Sequence, residues 1–128
     1  MSGLGLAESE KLRKLSQILT DLKGQGNLLG VMFAERSGKV INIVGEEDFN
    51  YDEFSSMCAS VLESALELSN VMGEKKIEKI VTELEGRLII ILECDKFTFL
   101  ILNANSESHI NKVLSKMENY IKKLLILY

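Results

Sequence analysis

The order in which apolar residues recur along this chain restricts its fold more than any other feature of the sequence. A stretch with helical spacing, residues 9–23, comes first, and two short apolar runs follow it. Next come a long helical stretch that contains many serines, three more apolar runs and a closing lysine-rich amphipathic helix. This order predicts a small antiparallel sheet with helices on both faces.

Five strands are predicted, at residues 28–35, 39–44, 77–85, 88–94 and 97–103. The run 77–85 is more charged than the other strands, with Lys79 and Glu83 on one face and Ile80 and Leu84 on the other. This pattern is typical of an edge strand. The last two runs are the most apolar and are expected at the centre of the sheet. The predicted fold is therefore an α/β three-layer sandwich with element order α-β-β-α-β-β-β-α, one helix on one face and two on the other.

Local signals predict the ends of the helices. Gly24 and Gly73 stand where the first and second helices should stop, because glycine readily adopts the left-handed conformation found after a helix. Asn50, with Glu53 three residues later, is expected to cap the start of the second helix.

The composition indicates one soluble domain spanning residues 1–128, with 46% hydrophobic and 27% charged residues. A net charge of −4 argues against a nucleic-acid surface, for which a basic excess would be expected. The most apolar segment, 88–102, is short and interrupted by charges, so no membrane span is expected. Two cysteines without a motif favour a reducing cytoplasm.

No constellation of residues in the sequence indicates catalysis. His109 has no partners at catalytic or metal-ligand spacing, and Cys58 and Cys94 lie at positions predicted to be buried. The glycines between residues 24 and 30 follow a predicted helix and precede a predicted strand. A phosphate-binding loop has the reverse order, because it follows a strand and precedes a helix. The acidic run 46–48 lacks EF-hand spacing. We therefore expect no enzyme activity, no cofactor and no metal.

Two arginines in predicted turns, Arg36 and Arg87, are placed where an arginine finger could project toward a nucleotide. An ordinary surface role is the commoner one for arginines in such turns.

The second helix carries two apolar stripes that differ by about 100° around its axis. The first stripe is expected to pack on the sheet and consists of Phe54, Cys58, Val61, Ala65, Leu68 and Met72. The second stripe combines small residues with two leucines, a composition that permits close approach of another helix. It consists of Ser55, Ala59, Leu62, Leu66 and Ser69. Self-association through this second stripe and broader contact with the protein's own sheet are equally weighted interpretations.

Three stretches of the chain resemble the roadblock/LC7 (dynein light chain-type) family, and in particular its prokaryotic small-GTPase-regulator branch. They are LLGVMFAERSG at 28–38, the helix at 52–73 with MCASVL inside it, and IVTELEGRLIII at 80–91. The resemblance covers nearly the full length, and it implies the same sandwich fold that the apolar pattern predicts.

The resemblance further implies a dimer in which edge strands pair into one continuous sheet and second helices pack side by side. In this chain the implied dimer interface consists of Ser55, Ala59, Leu62, Leu66, Ser69, Ile77, Lys79, Val81 and Glu83. The partner subunit would be a second copy or a roadblock paralogue.

The resemblance also implies a non-enzymatic, cytoplasmic platform that binds and regulates a Ras-like small GTPase. The expected GTPase contact is an exposed arc of the second helix with the neighbouring hairpin, formed by Arg36, Ser56, Ser60, Glu63 and Glu67. One alternative is a structural light-chain module in a larger scaffold or motor complex. Another is a ligand sensor, which would need an internal pocket with polar anchors.

Overall fold

A computed structural model describes residues 3–45 and 48–128, with side chains described from residue 7 onward. One sheet of five antiparallel strands forms in the order β2-β1-β5-β4-β3. The elements are α1 (Gly3–Gly26), β1 (Gly30–Glu35), β2 (Val40–Gly45), α2 (Tyr51–Val71), β3 (Ile80–Leu84), β4 (Arg87–Glu93), β5 (Thr98–Ala104), α3 (Ile110–Leu114) and α4 (Met117–Leu127). The predicted fold is confirmed, and β3 is an edge strand as predicted.

The last helix differs from the prediction of a single amphipathic helix because it is divided into α3 and α4. The Ser115 hydroxyl donates a hydrogen bond to the Lys112 carbonyl at 2.7 Å, and the Lys116 N–H donates to the Val113 carbonyl. These tighter contacts form a turn between the two helices. Side-chain–backbone bonds of this kind compete with regular helical pairing.

Side chains alternate between the two faces of the sheet and form two cores. On one face, strand residues such as Leu100 and Leu102 pack against α1, α3 and α4, with Leu15, Leu19 and Leu22 of α1 fully buried. On the other face, α2 alone covers a second core. Its strand members are Met32, Ala34, Ile89, Ile91, Phe99 and Ile101. One helix therefore covers one face and two predicted helices cover the other, the second of these being divided into α3 and α4.

The first helix ends two residues later than Gly24, so the prediction that Gly24 stops it is wrong. The helix continues to Gly26, and Asn27 adopts the left-handed conformation with a φ of 47°. The Asn27 N–H bonds to the Gly24 carbonyl and the Leu28 N–H to the Lys23 carbonyl, which is the Schellman pattern.

The ends of α2 match their predictions. The Asn50 side chain accepts a hydrogen bond from the Glu53 N–H at 3.0 Å, and Gly73 has a φ of +91° just beyond the helix. The Glu74 N–H closes the end by bonding to the Ser69 carbonyl.

The prediction of which α2 stripe packs on the sheet is correct for Phe54 and Cys58, which join the α2 core, and wrong for Val61, Leu68 and Met72. Ser55 and Leu62 have no exposed surface and Cys58 is 5% exposed, so these residues form the sheet-facing side together with half-buried Ala59 and Leu66. Val61 and Leu68, expected in the core, are 42% and 64% exposed. The sheet presents bulky side chains here, and small residues on the helix allow the two to approach.

Leucine-to-alanine substitutions at two positions of α2 test this assignment. We expect Leu62→Ala to lower the free energy of unfolding by about 2–5 kcal/mol, because it removes packed atoms from a fully buried site. Leu68→Ala is the matched control and should change it by less than about 0.5 kcal/mol at protein concentrations where the chain is monomeric. If urea unfolding shows that both substitutions lower the free energy of unfolding equally, the assignment of Leu62 to the sheet-facing side of α2 is contradicted.

Candidate functional site

The outward-facing surface of α2 carries a row of large apolar side chains that exposed Ser64 interrupts. We call this row the apolar stripe, and it consists of Met57, Val61, Leu68, Val71 and Met72. Each of these residues is between 42% and 83% exposed. Isolated exposed apolar residues are normal, but five on one side of one helix form a patch of the kind that marks an interaction site.

The apolar stripe lies on the side of α2 that faces the free edge of the sheet. Met57 lines the same groove as Leu84 of β3 and Arg87 of β4. Among the described residues, no strand pairs with the outer side of β3. Val81 and Leu84 of that strand are 48% and 54% exposed. An unpaired strand edge and an apolar helix face therefore lie side by side, and both are surfaces that ordinarily become covered.

The residues predicted from the sequence for a dimer interface divide into two groups in the structure. Ser55 and Leu62 are buried inside the chain itself, so they cannot form an outer helix contact, and this part of the prediction is corrected. The Ser69 hydroxyl donates to the Lys75 carbonyl and is half-buried. Ile77 packs against the α2 core.

The remaining predicted dimer residues keep accessible positions. Ala59 and Leu66 are half-buried on the flank of α2. Lys79, Val81 and Glu83 are exposed at or beside the edge strand. Periodicity alone pointed to the wrong side of the helix, because both stripes recur at helical spacing.

A second surface of α2, here called the polar arc, lies about 100° around the helix axis from the apolar stripe. The polar arc consists of Ser56, Ser60, Glu63 and Glu67, all exposed. It adjoins the β1–β2 hairpin. A Cβ on Gly38, whose φ is +99°, would lie 2.9 Å from the Ser56 hydroxyl. The structure thus brings together the predicted helical arc and the Arg36 hairpin.

Arg36 is held between two carboxylates and does not project into solvent. One of its guanidinium nitrogens lies 2.8 Å from Glu93 Oε2 and another lies 3.5 Å from Glu63 Oε2. The side chain is only 20% exposed. This geometry connects the hairpin to α2 and to the end of β4, and it is unlike a projecting finger.

Phe97 is an exposed aromatic residue that sequence reasoning placed in a central strand. It is 72% exposed, and its carbonyl accepts a hydrogen bond from the Arg36 N–H at 2.8 Å. Strand β5 begins one residue later, because Asp95 Oδ1 accepts bonds from the backbone N–H groups of Phe97 and Thr98 and forms a turn. The Asp-Lys pair before Phe97 was the available signal for this turn.

The nucleophile and metal candidates are not assembled into a centre. Cys58 lies in the α2 core, whereas Cys94 packs on the opposite core, and His109 is exposed at the start of α3. Within the ranges 3–45 and 48–128, no group of three His, Cys, Asp or Glu side chains could hold a metal. Of the acidic run, Asp48 is exposed, and Glu46 and Glu47 lie outside the described residues.

Burial makes both thiols poor acids. It raises the pKa of Cys58 to about 11 and is the largest cause of raising the pKa of Cys94 to about 12. The nearby Asp95 carboxylate adds to the increase at Cys94. The thiolate is the reactive form, so neither cysteine is an activated nucleophile.

Searches of protein-family models and of curated protein sequences found no match. None of the helices described is long and apolar enough to cross a lipid bilayer.

Solved structures, in contrast, match this chain closely in fold. An MglB with a tetrameric arrangement superposes with a TM-score of 0.84 at 15% identity, covering 91% of this chain and 89% of that one. Myxococcus xanthus MglB gives a TM-score of 0.82 at 14% identity, covering 89% and 94%. A roadblock/LC7 domain from Streptomyces avermitilis gives 0.78 at 14% identity, covering 86% and 93%. The chain has the roadblock/LC7 fold, as its sequence resemblance implies, and it is most like MglB-type structures among these matches.

The raised thiol pKa values predict slow alkylation of the native protein. At pH 8, raising a thiol pKa from about 9 to about 11 lowers its thiolate fraction about 100-fold. We expect iodoacetamide to label Cys58 and Cys94 slowly in the native state and fully in guanidinium, as read by intact-mass spectrometry. Native labelling at the rate of the unfolded chain would contradict the burial of that cysteine.

Proposed function

We propose that this chain is a non-enzymatic homodimer that binds a Ras-like small GTPase and regulates its nucleotide cycle or location in the cytoplasm. The observation that carries the proposal is the apolar stripe lying beside the unpaired edge of β3. The resemblance to roadblock/LC7 proteins supplies the kind of partner. The similarity in fold to MglB structures supports the same assignment.

The dimer is argued from the geometry of the sheet. When an edge strand pairs antiparallel with its own copy about a twofold axis perpendicular to the sheet, the sheet continues across both subunits. The two α2 helices then lie on the same face of the enlarged sheet, and the sides that face the axis meet. In this chain that side is the apolar stripe.

The charges at β3 fit such a pairing. Glu83 lies two residues after Val81, and Lys79 lies one residue before the strand begins. In a dimer whose pairing extends β3 to Lys79, both side chains would point to the same face of the sheet. In a register centred on Val81, each Lys79 is opposite Glu83 of the partner subunit. Opposite charges directly across two strands stabilise a pair, whereas like charges destabilise it. Self-association of this fold is also seen in the tetrameric MglB, although that assembly belongs to that protein.

The proposed GTPase contact is the polar arc together with Arg36 and Phe97. The polar arc carries two carboxylates, Glu63 and Glu67, and α2 contributes no lysine or arginine beside them. Phe97 supplies an exposed aromatic side chain of the type that often dominates binding energy. The partner surface that fits is therefore basic with an apolar pocket.

Regulation would follow from differential binding to the two nucleotide states of the GTPase. A protein that binds one state more tightly shifts the population toward it, without contributing a catalytic group. Arg36 already pairs with Glu63 and Glu93, so an arginine-finger mechanism would have to break both pairs.

Charge substitutions on the apolar stripe test the dimer. We expect Val61→Glu and Leu68→Glu to give monomers in light scattering, because each places a carboxylate in the proposed helix contact, and far-UV circular dichroism should remain unchanged. Ser60→Glu, on the polar arc of the same helix, is the control and should remain dimeric. Dimers that persist in both stripe variants would rule out this interface.

Charge reversal on the polar arc tests the GTPase contact. The Ras-like GTPases of the source organism, purified and loaded with GTP or GDP, should bind this protein unequally in the two states and change their rate of GTP hydrolysis or nucleotide release. We expect Glu63→Lys with Glu67→Lys to weaken binding about tenfold at low salt while leaving the dimer intact.

If no GTPase binds in either nucleotide state, the regulatory role is wrong. Recovery of scaffold or motor subunits without a GTPase in affinity purification would then support the alternative of a structural assembly module.

A further inference from the structure

The two helical layers of the molecule differ in charge. On one face of the sheet, α2 contains four acidic residues and no lysine or arginine. On the other face, the segment 110–128 forms α3 and α4 and contains four lysines and one acidic residue, Glu118. We call these lysines the lysine group, and they are Lys112, Lys116, Lys122 and Lys123, all exposed.

The lysine group is not neutralised by the protein's own carboxylates. Among the described residues of this helical layer, ion pairs involve only Glu10, with Arg13 and Lys14 of α1. Asp21 lines the groove between α1 and α4 together with Lys123, and it accepts a hydrogen bond from the Tyr120 hydroxyl at 2.9 Å. The lysine group is therefore available to an anion from outside the chain.

The chemistry of the lysine group favours an extended anionic surface over a single anion. Arginine binds one phosphate or carboxylate in a bidentate manner, whereas lysine acts as a point charge, and the segment 110–128 contains no arginine. The lysines are also spread around α4. Lys122 lines the groove toward the free edge of the sheet, and Lys123 lines the groove toward α1.

An exposed apolar side chain lies between these two lysines. Ile126 follows Lys122 by four residues and Lys123 by three, so the three side chains project from the same side of α4. Ile126 is 84% exposed, whereas Leu124 on the inner side of the helix is fully buried. Lysines around an exposed apolar residue are typical of helices that lie at a membrane surface.

The proposed dimer would double this surface. Pairing of β3 strands about an axis perpendicular to the sheet places α4 of both copies on the same face, opposite the two α2 helices. A bilayer can contact both copies at once, and two linked contacts bind more tightly than one. A compact acidic protein bound to one copy gains no such advantage.

We propose that the α4 face of this protein docks on a lipid bilayer that contains anionic headgroups. The lysine group would attract the headgroups, and Ile126 would enter the interfacial region. The α2 layer would then point away from the lipid and leave the polar arc accessible. This inference goes beyond the GTPase role, and it rests on the proposed dimer only for the doubling of the basic surface.

Sedimentation with vesicles tests the proposal. The full-length chain is mixed with vesicles of phosphatidylcholine alone or of equal parts phosphatidylcholine and phosphatidylglycerol. We expect binding to the anionic vesicles to be at least about tenfold tighter at low salt and to weaken as salt screens the lysines. Equal affinity for the two kinds of vesicle, or no binding to either, overturns the proposal. Binding to poly-glutamate without binding to anionic vesicles would assign the face to an acidic protein instead.

Two charge reversals on the lysine group test which surface is used. Lys116→Glu with Lys123→Glu should lower the affinity for anionic vesicles at least about tenfold, because both lysines become repulsive. Lys39→Glu with Lys96→Glu is the matched control, since it changes the net charge equally at exposed lysines between paired strands. The control should lower the affinity less than about threefold. Equal losses in the two double variants would overturn the assignment of the α4 face.

Tryptophan reporters test the orientation, because the chain has no tryptophan of its own. On anionic vesicles, the emission of Ile126→Trp should move to shorter wavelength and be quenched by brominated lipid. Ser60→Trp, on the polar arc, should show neither effect. Quenching of both reporters, or of the Ser60→Trp reporter alone, would contradict the proposed orientation, and an unchanged Ile126→Trp spectrum would contradict insertion of this residue.

The Val61→Glu variant separates this proposal from the dimer. As the expected monomer, it presents one lysine group instead of two and should bind anionic vesicles more weakly than the parent, yet still prefer them to neutral vesicles. Complete loss of that preference would contradict docking by the lysines of one chain. A dimer that persists in this variant would count against the α2 interface and leave the vesicle result unaffected.

Discussion

The packing of α2 on the sheet is the interaction on which the other features of this structure depend. Bulky side chains protrude from this face of the sheet, among them Ile89, Phe99 and Ile101. The helix meets them with a side on which Ser55, Cys58 and Ala59 alternate with the leucines Leu62 and Leu66. Interior packing is dense, so a helix side made only of large residues would be held further from such a surface.

This choice of side determines what remains outside. Met57, Val61 and Leu68 of α2 are left toward the free edge of the sheet. Glu63 and Glu67 are left toward the β1–β2 hairpin. One helix therefore provides two different surfaces, one that loses water on contact with another apolar surface and one that attracts positive charge. The proposed dimer contact depends on burial of apolar surface, whereas the proposed GTPase contact depends on charge, and the two use different residues. Self-association and partner binding are therefore compatible on the same helix.

The fold was predictable from the sequence because its signals are local or periodic. The short apolar runs, the cap at Asn50 and the glycine at 73 each follow from the chemistry of a few neighbouring residues, and they agree with one another. The side of α2 that is buried was not predictable in this way. Two stripes recur at helical spacing, and only the shape of the opposing sheet, which is formed by residues distant in sequence, decides between them.

The same limit applies to the candidate sites. Asn103 reads as one polar residue at the end of an apolar strand, and only the fold brings it to the same cavity as Phe49 and Phe54. Phe97 was assigned to a strand because the Asp95 turn extends one residue further than its sequence suggests. Arg36 stands in a turn, as predicted, yet its two carboxylate partners come from α2 and β4.

These partners of Arg36 bear on how a bound GTPase would be regulated. A partner cation that approaches Glu63 competes with Arg36 for that carboxylate, whereas the shorter contact with Glu93 still holds the guanidinium. The Glu63 side chain is 66% exposed, and ion pairs with so exposed a partner contribute little to the stability of the fold. Exchanging it for a contact with a partner therefore costs little and leaves the hairpin in place. The arginine acts as a fixed part of the binding surface, which favours regulation by selective binding over insertion of a catalytic finger.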